Sequence, residues 1–426
     1  MFSRIRSSRD VTGFLVRAEW APIVSVGSFL LGLIPMVIGV PQEIGWGFAA
    51  LGFVIGAIFI IRDTFGLLGR WSSLTMRRVH ELSERLATAE VPDLPEVVVT
   101  PTGRVAINPE LDALLATAEN QVRWHADPYR LPTELAKIAP YVLRTSAQGK
   151  WPFDGPNVRL ETDLTIESVS TAADMMMRPG SFFRAVCSNE LTGWHLKDDG
   201  KSWDFEGTYL LDSRERVIPL GQSRLMNGVG VSTLAVTTDD KLLVVLQSPN
   251  TQTGAGMWAA SGSGALEPKD LPRQEEPLLR DMVVAGAVRE LREETKLPAS
   301  AIGNSRVLRY GRWLDRGGKP EFSCVTALTI SSDQVELGSR MHRIGSDERL
   351  WTAEIQLLGL NLAVPSTNEP TVKEPPLWLS SQLVSDPDEL RGSTSVSLGL
   401  ALDALVRALV RDPHLFDELR SAQPVQ

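Results

Sequence analysis

The chain has 426 residues, enough for about two or three folding units. Its 43% hydrophobic and 22% charged content excludes a wholly disordered chain. The net charge of −9 argues against a nucleic-acid-binding surface. Only two cysteines occur, Cys187 and Cys324, which excludes a disulfide scaffold, favours a reducing compartment and, with five scattered histidines, leaves little room for zinc. The charge is unevenly spread. Residues 1–78 carry eight arginines against Asp10, Glu19, Glu43 and Asp63, a net of +4, so the rest of the chain stands at −13.

In chain order, Trp20–Val40 is a run of 21 residues without a charge and Ile44–Ile61 a second run of 18. A bilayer core is crossed by a helix of about 20 apolar residues, so the two runs, joined by Pro41-Gln42-Glu43, predict a transmembrane hairpin. Arg4, Arg6, Arg9 and Arg17 precede it, Arg62, Arg70, Arg77 and Arg78 follow it, and the turn has no basic residue. The positive-inside rule then predicts a multi-pass inner-membrane protein with both termini in the cytoplasm. Gly52 and Gly56, and Ser28 and Gly32, have the small-xxx-small spacing that suits homo-oligomerisation in the lipid bilayer, although glycine is also simply common in membrane helices.

Beyond Arg62, Leu67, Trp71, Leu74, Val79, Leu82 and Leu86 recur at three-to-five-residue steps and predict an amphipathic juxtamembrane helix up to about Ala89. The segment 91–109 carries Pro92, Pro95, Pro101 and Pro109 and reads as an extended linker. A helical region is predicted from Glu110 to about Val142, with strand-like runs at Phe182–Val186 and Trp203–Leu211. Val229–Val236 and Leu242–Leu246 flank Thr238-Asp239-Asp240 and predict a β-hairpin. The resulting plan is 1–65 for the N-terminal flank and hairpin (spans at about 20–40 and 44–61), 66–109 for the juxtamembrane helix and linker, 110–224 for an extension of the soluble region, and 225–426 for the main α+β domain.

The sharpest chemical signal is Arg289-Glu290-Leu291-Arg292-Glu293-Glu294, near the end of a helix predicted from about Leu278 with Val284, Ala287, Val288 and Leu291 as its apolar face. Glu290, Glu293 and Glu294 stand at i, i+3 and i+4 and share one helical face. Like charges at that spacing cost a helix about 0.2–0.5 kcal/mol per pair. A hard, oxygen-seeking cation removes the repulsion; the bland alternative is a solvated face neutralised by Arg289 and Arg292.

These residues resemble the Nudix hydrolase family, whose signature is G-x5-E-x7-R-E-U-x-E-E-x-G-U with U aliphatic. Arg289-Glu290-Leu291 and Glu293-Glu294 match its core, Leu297 its last aliphatic, and Trp258 with Gly262 and Gly264 stands where the family has a tryptophan and a glycine-rich loop. The resemblance covers about 225–358 plus a helix near 395–419 and implies a Nudix-like α/β/α sandwich. It also implies that Glu290, Glu293 and Glu294 bind Mg2+ or Mn2+, that Gly262 or Gly264 offers a carbonyl, and that Arg289 orients a glutamate in catalysis on a nucleoside-diphosphate derivative. The sequence departs from the signature in two ways. Gly264 stands 25 positions before Arg289 where the signature has 14, an insertion of about 11, so the middle glutamate has three candidates, Glu267, Asp270 and Asp281. Lys296 replaces the late glycine and would hold a left-handed conformation at a cost of about 1 kcal/mol, or else the helix ends differently. Weaker nucleotide-binding candidates are Trp258, Tyr310 and Trp313 for stacking on a base and Arg306, Arg309 and Arg312 for phosphates, with Asp347 or Glu348 as a late general base; such residues are more often packing or surface residues.

The domain order resembles the membrane-spanning Nudix effectors of bacterial CBASS antiphage systems. That resemblance implies a cytoplasmic domain that senses a cyclic-nucleotide messenger and hairpins that associate to impair the membrane. Two other functions are compatible with the same residues. One is a Mg2+-dependent pyrophosphohydrolase tethered by its hairpin; the other is a degenerate scaffold used for protein contacts.

Overall fold

The computed structural model describes residues 74–79, 83–147, 153–198, 200–248, 255–335, 352–362, 383–385, 390 and 394–421, together with 10, 11, 13, 14, 54 and 58. The chain divides into two units that interleave in sequence. One comprises Met1–Glu81, Arg130–Gly155 and Phe182–Phe205; the other comprises Leu82–Tyr129, Pro156–Ser181 and Glu206–Gln426.

In the first unit, strand Leu74–Arg78 pairs antiparallel with Trp194–Asp198, which in turn pairs antiparallel with Lys201–Ser202. Helix Thr133–Ala147 buries Leu135, Ala139, Val142 and Leu143. The juxtamembrane helix predicted over 67–89 is corrected: where described, this stretch is the strand Leu74–Arg78 and a one-turn helix, Glu84–Thr88. Leu74 and Met76 alternate with exposed residues, so a period of two and a strand partner at 194–198 override the looser helical spacing. Phe182–Val186, predicted as a strand, is a helical turn, and the Asp154 carboxylate accepts from the Phe183 N–H at its start. The second strand-like run holds helix Phe205–Tyr209.

The segments predicted to be transmembrane, 20–40 and 44–61, lie outside the described residues, apart from Val54 and Ile58. Among the described residues no helix is long and apolar enough to cross a membrane. The longest has 17 residues, Leu279–Thr295, and the most apolar long one has 16, Val396–Arg411, against the roughly 20 apolar residues a crossing needs. On that finding the expectation of a multi-pass inner-membrane protein is corrected.

The second unit is built on a mixed sheet of nine strands among the described residues. In chain order its elements are β1 (Glu96–Thr100), β2 (Gly103–Ile107), α1 (Pro109–Leu114), β3 (Gly230–Val236), β4 (Lys241–Gln247), β5 (Trp258–Ala259), β6 (Gly262–Ala265), α2 (Leu279–Thr295), β7 (Ile302–Trp313), β8 (Lys319–Leu328), β9 (Thr352–Gly359), α3 (Val396–Arg411) and α4 (Leu415–Ser421). The strands run β5-β4-β3-β8-β7-β2-β1, with β6 also on β3 and β9 also on β4. Parity places the layers. Leu234, Val236, Leu242 and Val244 pack with Leu398, Leu402, Leu405 and Leu415 of α3 and α4. Their neighbours Ala235, Leu243 and Val245 pack with Leu291 of α2. A sheet covered on both faces explains why every residue of β3 is buried rather than every second one.

Two sequence readings change here. Residues 91–109 are a β-hairpin, not a linker: Pro101 and Thr102 make the turn, and Pro109 occupies the first turn of α1, whose N-cap Asn108 accepts from the Glu110 N–H at 3.0 Å. The region 110–142 is α1, strand Val122–Trp124 and the start of the first unit's helix, not one helical stretch. Val122–Trp124, Met175–Ser181 and Pro156–Leu160 form a second, three-stranded sheet. It joins the large one through Val158 N–H to Leu266 O at 3.0 Å and Val229 N–H to Val158 O at 2.9 Å.

Candidate functional site

Helix α2 carries the motif, and two glycines of β6 let it lie against the sheet. A Cβ on Gly262 would stand 2.3 Å from the Leu291 backbone nitrogen, and one on Gly264 would stand 2.2 Å from the Glu290 carboxyl carbon. The first glycine therefore sets helix–strand distance, and the second leaves room for a carboxylate. The buried face of α2 is Met282, Val283, Gly286, Ala287 and Leu291, turned slightly from the predicted one, with Val284 and Val288 half-buried. Gly286 explains the turn, since a Cβ there would meet Leu266 at 2.3 Å.

Arg289 is the hub. Its Nε and Nη2 donate to the two oxygens of Asp270 at 2.8 and 2.9 Å, and Nη2 also to Ala265 O at 2.7 Å. Its Nη1 donates to Glu290 Oε1 at 2.8 Å and to Glu293 Oε2 at 3.3 Å. Burial opposes its charge, but Asp270 and Glu290 outweigh that, so Arg289 titrates well above an ordinary arginine. Of the three candidates for the signature's middle glutamate, Asp270 is the one that Arg289 binds through both carboxylate oxygens. Of the other two candidates, Glu267 lies 3.6 Å from Arg289 and pairs with Lys269 at 3.0 Å, and the exposed Asp281 faces Arg280 at 3.6 Å. The insertion hid this: Asp270 ends a short 3-10 turn, Pro268–Asp270, where it accepts from the N–H of the N-cap Glu267, and no linear spacing marks it.

The three glutamates differ sharply. Glu290 is held by Arg289 and by the Ala265 N–H, at 3.2 Å from Oε1. Burial nonetheless raises its pKa, against the pull of Arg289. Glu294 accepts from the Ser263 N–H, yet its Oε2 is buried with no hydrogen-bond partner. Burial first, and the Glu290 charge second, push its pKa well above the carboxylate range. Glu293 is half-exposed and tied to Lys269 at 3.3 Å and to Arg289. Lys296 holds the left-handed conformation the sequence implied, at φ 61° and ψ 19°.

Among the described residues no group of three or more His, Cys, Asp or Glu side chains is disposed to hold a metal ion. The donors that suit a hard divalent cation are Glu290 and Glu294: oxygen ligands, mutually repulsive, one with an orphaned buried oxygen. Glu293, the third expected ligand, is engaged by two cations instead.

The remaining candidates stand elsewhere. Arg309 is fully buried, with Nε donating to Asp112 at 2.7 Å and Nη1 to Asp403 at 2.5 Å, so it ties α1 and α3 to β7 and reaches no ligand. Trp313 packs with Val105, Ile107 and Val396 under the Arg316 guanidinium at 4.9 Å. Trp258 packs on the α3 core, and Tyr310 lies buried against Phe322. Arg306 pairs with Asp412 and Glu418, and Arg312 with Asp163. Asp347 and Glu348 lie outside the described residues.

No protein-family description and no curated protein matches the sequence. Among solved structures, a Nudix hydrolase from M. smegmatis aligns over 48% of this chain and 97% of its own length, at 11% identity and a TM-score of 0.25. A protein from Deinococcus radiodurans aligns over 35% and 82%, at 17% identity and a TM-score of 0.21. Such scores carry no argument about chemistry.

Proposed function

We propose that the second unit is a Nudix-like domain that binds the phosphates of a nucleotide through a divalent cation, Mg2+ or Mn2+, held by Glu290 and Glu294, and that it serves as a nucleotide receptor. The orphaned Oε2 of Glu294 beside Glu290 carries this reading: a buried carboxylate without a donor is costly, and a cation is the ligand that removes the cost. When bound, the cation draws charge off a phosphate and acidifies its own water. The chain's part is to hold Glu290 through Arg289 and Ala265, to keep space at Gly264, and to fix Arg289 through Asp270. The engagement of Glu293 by Lys269 and Arg289 favours reception over turnover, because only two of three carboxylates stay available. The finer form of the proposal is a receptor for a cyclic-nucleotide messenger in a CBASS antiphage system. The competing reading is hydrolysis of a nucleoside-diphosphate derivative, favoured by the intact Arg289–Asp270–Glu290 arrangement.

The test is Mn2+ binding by the full chain, read by electron paramagnetic resonance, with Glu290→Gln and Glu294→Gln, followed by a nucleotide panel assayed for binding and consumption. Mn2+ affinity should fall about tenfold or more in either variant. Nucleotide binding without consumption supports the receptor; consumption lost in E290Q supports the hydrolase. Equal Mn2+ binding in wild type and both variants would refute the cation site.

A further inference from the structure

A second cluster of charges lies on the three-stranded sheet and takes no part in the site above. Arg159 and Arg178 stand directly opposite each other on antiparallel strands, a juxtaposition of like charges that is unfavourable by itself. Glu161 lies between them, accepting from Arg178 Nε at 2.8 Å and facing Arg159 Nη1 at 3.3 Å. His125 completes the group, its Nδ1 at 3.1 Å from Arg178 Nη2. A guanidinium can only donate, so towards Arg178 Nδ1 accepts and Nε2 carries the hydrogen; Nδ1 also lies 3.5 Å from Glu161 Oε2, to which it would donate in the protonated ring, where Nε2 is a donor as well.

Donors exceed acceptors here. Arg159 is 9% exposed, stacked at 4.8 Å over Tyr129, with Nη2 donating to Ser223 O at 2.6 Å, while its buried Nε has no partner. Two permanent cations face one carboxylate. Neighbouring Arg123 adds nothing to the balance, being paired with Asp174 at 2.8 Å. The group is open on one side, where the side chains of Arg178 and His125 are 26% and 43% exposed.

We propose that Arg159, Arg178 and His125 form a binding site for a phosphoryl group, with Glu161 an internal carboxylate that holds the arginines together and competes with the ligand. Paired guanidinium forks with an imidazole Nε2 donor suit a tetrahedral oxyanion, whose several oxygens accept from several directions. The site needs no cation from Glu290 or Glu294, so its success or failure is separate from theirs.

The experiment titrates the full chain with inorganic phosphate and with AMP, in EDTA at constant ionic strength, by calorimetry and thermal shift. Phosphate should bind saturably to wild type and to E294Q alike. Arg178→Gln and the gentler His125→Gln should each weaken it, the former by about tenfold, since a lost charged hydrogen bond has that size. Glu161→Gln removes the competitor and should tighten phosphate binding by a similar factor; added phosphate should restore whatever thermal stability the variant loses. AMP binding tighter than phosphate identifies a nucleotide's phosphate as the ligand, and equal affinity identifies the free anion. Absence of saturable phosphate binding in both wild type and E161Q, or an E161Q protein destabilised and indifferent to phosphate, overturns the proposal.

Discussion

Replacing Glu294 by glutamine should make the protein more stable at alkaline pH and blind to the cation. In the folded chain burial and the Glu290 charge raise the Glu294 pKa well above that of an ordinary glutamate. A group raised in this way contributes stability that is present below the unfolded pKa and is lost as pH rises through the folded one. Wild type should therefore lose stability relative to E294Q as pH rises above the ordinary glutamate range, and the difference should level off only below about pH 3.5, where the carboxyl is protonated folded and unfolded alike.

The size follows from the orphaned oxygen. Leaving a buried polar group without a partner costs about 1–3 kcal/mol, more when it is charged. Glutamine keeps the acceptor for the Ser263 N–H and removes the charge but leaves an unpaired amide, so about 1–2 kcal/mol should be recovered. For a domain of this size each kcal/mol moves Tm by roughly 2–4 °C, which predicts a rise of about 2–8 °C at pH 8 by scanning calorimetry. Mn2+ should raise Tm of the wild type and leave E294Q unmoved. A Tm difference that is flat from pH 4 to 8, or a variant less stable than wild type at pH 8, would refute the reasoning, for Glu294 would then be a satisfied structural acceptor.

The two glycines of β6 should fail differently. Gly262→Ala pushes a methyl into the Leu291 backbone and should destabilise by about 3 kcal/mol or more in denaturant titration, because backbone cannot step aside as a side chain can. Gly264→Ala meets only the Glu290 carboxyl, so it should cost less than about 1.5 kcal/mol yet abolish Mn2+ binding by displacing that group. Asp403→Ala leaves the Arg309 guanidinium short of a partner in the core and should cost about 3–5 kcal/mol, with Mn2+ affinity unchanged in whatever fraction stays folded. Lys296→Gly removes a left-handed non-glycine residue at the end of α2 and should raise stability by up to about 1 kcal/mol in urea titration.

What could be read from the sequence depended on how local its cause is. The β3–β4 hairpin and helix α2 are written in patterns a few residues long, alternating or contiguous apolar runs around Asp239-Asp240 and an apolar helical stripe ending in charges, and both stand where the patterns put them. The β1–β2 hairpin was masked by its own punctuation: four prolines look like a linker until one sees that two precede the strand, one makes the turn and one starts the next helix. Asp270 and Arg309 were illegible for a different reason. Asp270 meets Arg289 across 19 residues, a loop and the first turns of α2, and Arg309 meets Asp112 and Asp403 across 197 and 94 residues. Electrostatic partnership at such separations leaves no period to detect. An arginine within an apolar strand looks the same whether it awaits a phosphate or a buried carboxylate.

The distribution of satisfied and unsatisfied carboxylates argues for where the chemistry lies. Asp112, Asp270 and Asp403 are buried and each has an arginine within hydrogen-bond distance. Glu290 shares Arg289 with Asp270 and with Glu293. Glu294 sits one helical turn beyond Glu290, near enough for that charge to act on it, and its Oε2 has no donor. Folding thus meets the cost of every other buried acid of this group from within the chain and leaves it standing at one oxygen. A packing error would leave such an oxygen at random. Here it stands on the same helix as Arg289, and residue 263, whose N–H it accepts, lies between the two glycines that bring β6 against that helix. The partner we propose for it is positive, small enough to enter beside Glu290 and supplied from outside the chain, a description that a divalent cation fits.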